Sequence, residues 1–143
     1  MHIQQISVFV ENKPGRMAEI TETISAAAVD IRAISIADTS YFGILRVIVN
    51  QPEKAAEVLR AAGFTVSITS VIAIGIDDAV GEFSRAMRLL ADNRITVEYM
   101  YAFVSKEHGK ASIILSVDDD DHAAQVLAQH GIFILSDKEV YNM

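Results

Sequence analysis

The sequence predicts an α+β protein made of two βαββαβ units, each with an antiparallel sheet that carries both helices on one face. Three observations support this prediction. The chain repeats itself, its apolar residues recur with the periods of strands and helices, and the elements follow the same order in both copies. A chain of 143 residues, 51% of them apolar, is long enough for one ordinary domain or two small ones.

The repeat appears when the chain is displaced by 66 residues against itself. Gly15 then falls on Gly81, and Gly43 falls on Gly109. After a slip of two residues, the segment 55–63 falls on 123–131, and five of the nine positions are identical. We therefore predict a first unit over residues 1–69 and a second over residues 70–143, with almost no linker between them.

Apolar periodicity places the elements of each unit. Ile6, Val8 and Val10 alternate with residues of the opposite face, among them Phe9, as in a half-buried strand. In the first unit we predict strands at 6–10, 31–38, 44–49 and 65–69, helices at 17–27 and 52–62, and a turn at 39–43. In the second unit we predict strands at 71–77, 95–104, 111–117 and 133–135, helices at 81–92 and 122–130, and a turn at 105–110. The two units could lie side by side with their sheets joined edge to edge, or stack through their uncovered faces.

Composition excludes several classes of function. A net charge of −7 would repel a phosphate backbone, so we expect no nucleic-acid partner. The absence of cysteine removes disulfides, thiolate nucleophiles and cysteine-based metal sites. We find no signal peptide and no run of about 20 apolar residues, so we expect a cytoplasmic protein that does not span a membrane.

We also expect no metal and no cofactor. The four histidines have no metal-ligand spacing. The acidic run at 118–121 lacks the alternating ligands and the glycine of a calcium loop. Because this run precedes a predicted helix, where acids favour the N-terminus, we interpret it as a helix cap.

The loop between the first strand and the first helix is the strongest candidate for a binding site. Pro14 cannot donate to a sheet, so it ends the strand, and Gly15 allows a sharp bend or a close approach by a ligand. The helix that follows leaves its first N–H groups without intrahelical partners, and such a place readily binds a carboxylate. A free amino acid would place its carboxylate there or on Arg16, and its ammonium on Asn12 or Asp30. The alternative interpretations are that the loop is an ordinary turn and that Arg16 is a solvated surface residue.

The loop segment Asn12-Lys13-Pro14-Gly15-Arg16-Met17, placed between the first strand and first helix of a βαββαβ unit, resembles the ACT domain. The resemblance covers nearly the whole chain as a tandem pair and extends to the segments at 97–103 and 136–142. It implies two ferredoxin-like, ACT-like units. It also implies that units pair and that a free amino acid binds at their interface. Separately, the exposed edges of the predicted sheets lead us to expect a homodimer.

The resemblance also implies which residues bind the amino acid. The contacts come from the first loop of one unit and the start of the second strand of its neighbour. Transferred to this sequence, the first unit supplies Asn12, Lys13, Pro14, Gly15, Arg16, Met17 and Asp30. The second unit supplies Asp78, Gly81 and Thr96. Aromatic residues on alternate positions of a predicted strand add Tyr99, which could line the pocket, belong to the core or contact another subunit.

The two predicted sites are not equivalent. The second loop keeps the glycine but has neither the proline nor the asparagine of the first, and Asp78 stands where Asn12 stands. Glu82 stands where Arg16 stands, so it would repel a ligand carboxylate while it could hold an ammonium group. We therefore expect the first loop to bind more strongly than the second.

These features predict a non-catalytic regulatory protein that binds an amino acid and acts on a protein partner in trans. Two alternatives stay open. One is a protein-interaction module that binds no ligand. The other is a small enzyme similar to acylphosphatase, which shares the βαββαβ topology. However, the glycine-rich loop of that family is absent, and no Ser/His/Asp or Cys/His set can be assembled.

Overall fold

The computed structural model describes residues 2–38, 42–103, 105 and 107–142. Gln4–Thr69, with Asn142, form one compact unit, and Ser70–Tyr141, with His2 and Ile3, form the other. We call them the N-terminal unit and the C-terminal unit and describe each by itself. The predicted class, two βαββαβ units with antiparallel sheets, is confirmed by the order of the elements. Among the described residues, no helix has the length and apolar character that crossing a membrane requires.

The N-terminal unit is built around strand β3 (Phe42–Val49), which pairs antiparallel with both β1 (Ile3–Glu11) and β2 (Ile31–Asp38). The strand β4 (Thr65–Asp77) continues this sheet beyond β1, so its order is β2-β3-β1-β4. The elements are β1 (Ile3–Glu11), α1 (Arg16–Ala26), β2 (Ile31–Asp38), β3 (Phe42–Val49), α2 (Pro52–Ala61) and β4 (Thr65–Asp77).

The C-terminal unit repeats this plan around β6 (Lys110–Val117), which pairs antiparallel with both β4 and β5 (Val97–Phe103). A short strand, β7 (Phe133–Leu135), pairs with the other edge of β4, so the order is β7-β4-β6-β5. The elements are the second part of β4, α3 (Glu82–Asp92), β5 (Val97–Phe103), β6 (Lys110–Val117), α4 (Asp120–Gln129), β7 (Phe133–Leu135) and α5 (Asp137–Tyr141).

Each unit buries its own core between one face of its sheet and its two long helices. In the N-terminal unit, Val8 of β1 and Leu45 of β3 lie opposite each other and pack with Ile20 and Ile24 of α1 and Leu59 of α2. All five side chains have no exposed surface. Burial of one such side chain stabilises the fold by about 1.5–3 kcal/mol, so these contacts fix the helices on the sheet.

Two details of the predicted elements were wrong. Separate strands were expected at 65–69 and 71–77, but β4 runs unbroken from Thr65 to Asp77. Its residues up to Ile74 are apolar, β-branched or serine, with no glycine or proline to interrupt a ladder. The helix α5 was not predicted because it has only 5 residues. Ser136 Oγ accepts a hydrogen bond from the Glu139 amide at 3.1 Å at its start, and Val140 is buried.

The two predicted turns are only partly within the described residues. Residues 39–41 of the first turn lie outside them, and Phe42 and Gly43 belong to β3 rather than to the turn. In the second unit, residues 104 and 106 lie outside the described part of the chain. Lys110 opens β6, one residue earlier than predicted.

Candidate ligand-binding site

Two backbone hydrogen bonds shape the loop between β1 and α1. The Lys13 amide donates to the Glu11 carbonyl at 2.8 Å, and the Arg16 amide donates to the Lys13 carbonyl at 3.3 Å. Gly15 is the N-cap of α1 with φ 86°, and no side chain caps this helix. The first i→i−4 bond of α1 runs from Glu19 to Gly15 at 3.0 Å. The Met17 and Ala18 amides therefore lie in the first turn, at the positive end of the helix, where the helix offers no acceptor of its own for them.

The loop between β4 and α3 has the same backbone pattern. The Ala79 amide donates to the Asp77 carbonyl at 2.9 Å, and the Glu82 amide donates to the Ala79 carbonyl at 3.2 Å. Gly81 is the N-cap of α3 with φ 90°, and Arg85 donates to its carbonyl at 2.9 Å. This loop contains no proline. Glycine in the left-handed region is therefore the residue that both loops share and that their geometry requires.

Charged side chains surround the first loop. Lys13 Nζ lies 2.9 Å from Glu11 Oε2. The hydrogen bond and charge of Lys13 hold the pKa of the Glu11 carboxyl below its ordinary value, so this side chain is an anion at neutral pH. Arg16 Nη1 donates to Glu19 Oε2 at 2.9 Å, one turn along the helix. A guanidinium has five N–H donors, so this ion pair leaves Arg16 with further donors for a ligand carboxylate.

The same ion pair occurs in the C-terminal unit with its charges exchanged. Glu82 stands at the position of Arg16, and Arg85 stands at the position of Glu19. Arg85 Nη2 lies 3.4 Å from Glu82 Oε2, while its Nη1 donates to the carbonyl of His130 at 3.0 Å. The second loop therefore presents a carboxylate where the first presents a guanidinium.

A groove of about 570 Å³ opens beside the first loop, within the N-terminal unit. Two of its walls come from the end of β1 and from the outer side of α1, and a third comes from the segment that joins α2 to β4. Phe9 and Phe42 also face it, with ring centroids 4.8 Å apart. The lining residues are Phe9, Glu11, Arg16, Glu19, Thr23, Phe42, Ala62, Gly63, Phe64 and Thr65.

In both units, the backbone amide and carbonyl of the position predicted at the start of the second strand are engaged in hydrogen bonds. The Asp30 amide donates to Asn50 Oδ1 at 2.9 Å, and the Asn50 amide donates to the Asp30 carbonyl at 3.1 Å. Thr96 and Asp118 exchange the equivalent two bonds, at 3.1 and 3.2 Å. The Asp30 carboxylate also lies 3.2 Å from Arg32 Nη1, so an ammonium ligand would have to compete with this arginine.

The N-terminal unit places the loop and Asp30 at opposite ends of its sheet. Glu11 lies opposite Phe42 at one end of β3, and Ile31 lies opposite Val49 at the other. β3 has 8 residues, so its ends are roughly 23 Å apart at about 3.3 Å per residue. One amino acid cannot contact both the loop and Asp30 of the same unit. In the C-terminal unit, the pairing of Asp77 with Lys110 and of Val97 with Val117 separates the Gly81 loop from Thr96 in the same way.

The other predicted residues have ordinary surroundings. Asn12 Oδ1 lies near Gly43, 3.5 Å from the place of a Cβ on that glycine, and Met17 packs against the core of the N-terminal unit. The Asp78 amide donates to the Gly109 carbonyl at 2.8 Å. Tyr99 is half-buried in β5, opposite Ser116. Arg16 is the predicted residue that also lines the groove.

Sequence reasoning missed most of the groove. Glu11, Glu19 and Phe64 read as ordinary surface and core residues, and Phe42 was assigned to a turn. Phe9 did carry a signal, because it is a large apolar residue on the face of β1 opposite Ile6, Val8 and Val10. Within the described ranges, no three histidine or acidic side chains come together as a metal site would require.

The family of the chain follows from its sequence as a whole. A family model described as an ACT domain pair matches residues 1–143. The chain therefore belongs to the ACT domain pair family. The resemblance drawn from the first loop and the doubled topology is thereby confirmed. No curated protein sequence matches the chain.

Solved structures share this fold over nearly their full length. Protein BT0572 from Bacteroides thetaiotaomicron is 31% identical with a TM-score of 0.94, and the match covers 100% of this chain and 98% of that one. The ligand-free regulatory subunit of aspartate kinase from Thermus thermophilus is 14% identical with a TM-score of 0.67, over 91% and 93% of the two chains. The equivalent subunit from Thermus flavus is 14% identical with a TM-score of 0.64, over 90% and 92%. The Thermus likenesses show the shared fold.

Proposed function

We propose that this ACT domain pair is a non-catalytic regulatory protein of the cytoplasm that binds a free amino acid through the N-terminal unit. The observation that carries the proposal is the first loop and its surroundings. Backbone amides at the start of α1, the Arg16 guanidinium and two carboxylates, those of Glu11 and Glu19, lie beside one groove. A zwitterion needs both kinds of partner within a few ångströms, and this loop supplies both.

Dimerisation is the second part of the proposal. Because Asp30 lies at the far end of its own sheet, the residues predicted from the family require a second ACT unit to complete the site. We propose that a homodimer supplies it. The edge strand β2 exposes Ile34 by 45% and Ile36 by 50%, and an edge strand with exposed apolar side chains favours pairing with another chain.

A regulatory role requires that a partner respond to the bound amino acid. The Thermus neighbours are named as regulatory subunits of an enzyme. We propose that the partner is a separate protein that binds in trans. The amino acid can shift the equilibrium between two states only by the difference between its affinities for them.

A thermal-shift screen against the twenty common amino acids at millimolar concentration tests the proposal. A ligand that binds the native state at a hundredfold excess over its Kd stabilises that state by about 2.7 kcal/mol. We expect one amino acid, or one chemically related group, to raise the melting temperature. If none does, the chain is a protein-interaction module without a ligand, and the proposal is wrong.

A matched pair of variants tests the position of the site. Arg16→Gln removes the guanidinium beside the groove and should weaken binding by about 2 kcal/mol, roughly thirtyfold in Kd. Arg85→Gln removes the arginine of the exchanged ion pair in the C-terminal unit and should leave the affinity within about threefold. Equal losses in the two variants would show that the first loop is not the principal site.

A further inference from the structure

We infer that the amino acid bound by the N-terminal unit has an aromatic side chain, whose ring lies against Phe9, Phe42 and Phe64. This inference rests on the proposed function, because it assumes that the groove beside the first loop holds the amino acid. It adds the chemical class of the side chain, which neither the loop nor the family match determines.

The apolar wall of the groove is the first observation. Phe9 and Phe42 are 49% and 43% exposed, although both are large apolar residues on a sheet. Their ring centroids are 4.8 Å apart, and the ring planes meet at 34°, so they form one continuous aromatic surface. Phe64, half-buried at the edge of the core, adds a third ring to the lining. Aromatic rings pair well with such surfaces in offset or tilted arrangements.

The charges of the groove complement the other end of an amino acid. Arg16 supplies donors for a carboxylate, and Glu11 and Glu19 supply acceptors for an ammonium group. Glu11 is already paired with Lys13 and Glu19 with Arg16, each at 2.9 Å, so a ligand ammonium would share these carboxylates with the two cations or displace them. Both charged ends of the ligand would therefore lie at the loop, while its side chain would extend towards the rings.

The size of the groove agrees with a ligand larger than glycine or serine. Its volume of about 570 Å³ falls within the range of about 300–1,000 Å³ that is usual for small-molecule sites. A small amino acid bound at the loop would leave the phenylalanine rings in water. An aromatic ring would cover them and remove apolar surface from water on both partners.

The C-terminal unit provides an internal comparison, because its own residues occupy the equivalent places. Gly75 stands at the position of Phe9. Phe133 lies beside it, with two carbon atoms 3.9 Å from the place of a Cβ on Gly75. Arg85 is tied to the carbonyl of His130, in the segment that leads into β7. His108 stands at the position of Phe42, so the C-terminal unit has neither phenylalanine of the Phe9–Phe42 pair at the equivalent places, although Phe133 is itself an exposed ring.

Titration calorimetry with the full chain tests the inference. L-Phenylalanine and L-alanine differ only by the ring, so we expect L-phenylalanine to bind at least tenfold more tightly, with L-tyrosine or L-tryptophan near it and L-leucine between. Phenylpyruvate lacks the ammonium group and phenethylamine lacks the carboxylate. We expect each of them to bind at least tenfold more weakly than L-phenylalanine, because each leaves one kind of charged partner unused.

Single substitutions test whether the aromatic ring of the ligand lies against Phe9 and Phe42. Phe9→Ala and Phe42→Ala should each weaken L-phenylalanine binding about tenfold, while their affinity for L-alanine should stay within twofold. Phe133→Ala, which removes an exposed ring of the C-terminal unit, is the matched control and should change neither affinity. Phe42→Leu keeps an apolar side chain and serves if Phe42→Ala fails to fold. The mass of each variant in solution is measured alongside.

The outcomes separate the inference from the proposed function. If L-alanine binds as tightly as L-phenylalanine and still requires Arg16, the inference is wrong while amino-acid binding stands. If no amino acid binds, both are wrong. If Phe9→Ala and Phe42→Ala halve the mass but leave the affinity for L-phenylalanine unchanged, the rings form a contact between copies of the chain, and the inference is wrong.

Discussion

Gly15 and Gly81 hold the two loops in a backbone conformation that other residues rarely adopt. Their φ angles of 86° and 90° lie in the left-handed region, and a Cβ added to either would meet no atom within 4 Å. Steric room is therefore not the reason for glycine at these positions. Backbone strain is the reason, and it is the same in both units.

We predict that Gly15→Ala and Gly81→Ala each lower the free energy of unfolding by about 1 kcal/mol, measured by urea denaturation. The two variants should differ in ligand binding instead. Gly15→Ala should weaken the binding of the amino acid found in the thermal-shift screen, and Gly81→Ala should change it little. A much larger loss of stability in one variant would contradict the equivalence of the two backbones.

The ion pair between Asp77 and Lys110 affects how the stability of the fold depends on pH. The hydrogen bond and charge of Lys110 lower the pKa of the Asp77 carboxyl below its ordinary value of 3.8, and Asp77 raises the pKa of Lys110 above 10.5. The lowered carboxyl pKa stabilises the fold above pH 3.8, and this contribution is lost as the pH falls through the folded-state pKa. The raised lysine pKa stabilises the fold below pH 10.5, and its contribution is lost as the pH rises through its folded-state pKa.

We predict that Lys110→Met returns the pKa of the Asp77 carboxyl towards 3.8, as measured by NMR titration of the side-chain carbon. The stability of this variant should fall less steeply in acid than that of the unmodified chain. Lys13→Met is the control, because Lys13 pairs with Glu11 in the other unit. It should raise the pKa of Glu11 and leave that of Asp77 unchanged.

At the scale of the elements, the helices of the two units begin in different ways. The loops before α1 and α3 have no side-chain cap. Asp119 caps α4, because its carboxylate accepts a hydrogen bond from the His122 amide at 3.1 Å, whereas Gln51 at the start of α2 makes no such bond. The acidic run that was interpreted as a helix cap therefore contains one capping residue, and Asp118 instead bonds to Thr96.

We predict that Asp119→Ala lowers the free energy of unfolding by about 1 kcal/mol, the usual loss when an N-cap is removed. Gln51→Ala, at the equivalent helix of the N-terminal unit, should change it by only a few tenths of a kcal/mol. Chemical denaturation at pH 7 measures both. Similar losses in the two variants would mean that the hydrogen bond to His122 contributes little.

The strands and helices were predictable from the sequence where the spacing of nearby apolar residues determines the type of element. The alternation of Ile6, Val8 and Val10 and the helical spacing in each unit were sufficient for the fold class. The groove was not predictable, because it depends on contacts between segments far apart in sequence. Phe9 and Phe64 face one cavity only because α2 returns the chain to the edge of β1. The hydrogen bond from Arg85 to the His130 carbonyl was not predicted either, because it also joins residues far apart in sequence.

At the scale of the whole molecule, the exposed edge strand β2 allows the proposed homodimer to be tested. Ile36→Lys places a charge on this strand, where desolvation would oppose pairing with another chain. We predict a particle of twice 15.6 kDa for the unmodified chain and one of 15.6 kDa for the variant, by sedimentation equilibrium. Glu53→Gln, on the exposed side of α2, changes the net charge by the same single unit and is the control. A dimer that persists in Ile36→Lys would exclude this edge as the contact.

The exchanged ion pairs, Arg16 with Glu19 and Glu82 with Arg85, have a consequence for how such a chain can diversify. Since main-chain atoms and one glycine are enough to form each corner, the charged residues around it can be traded without disturbing the architecture. After a duplication, the two charges of the ion pair in one unit could therefore be exchanged while those of the other unit stayed unchanged. In the proposed site, recognition is therefore separable from folding, and each half could acquire its own chemical preference on an inherited backbone.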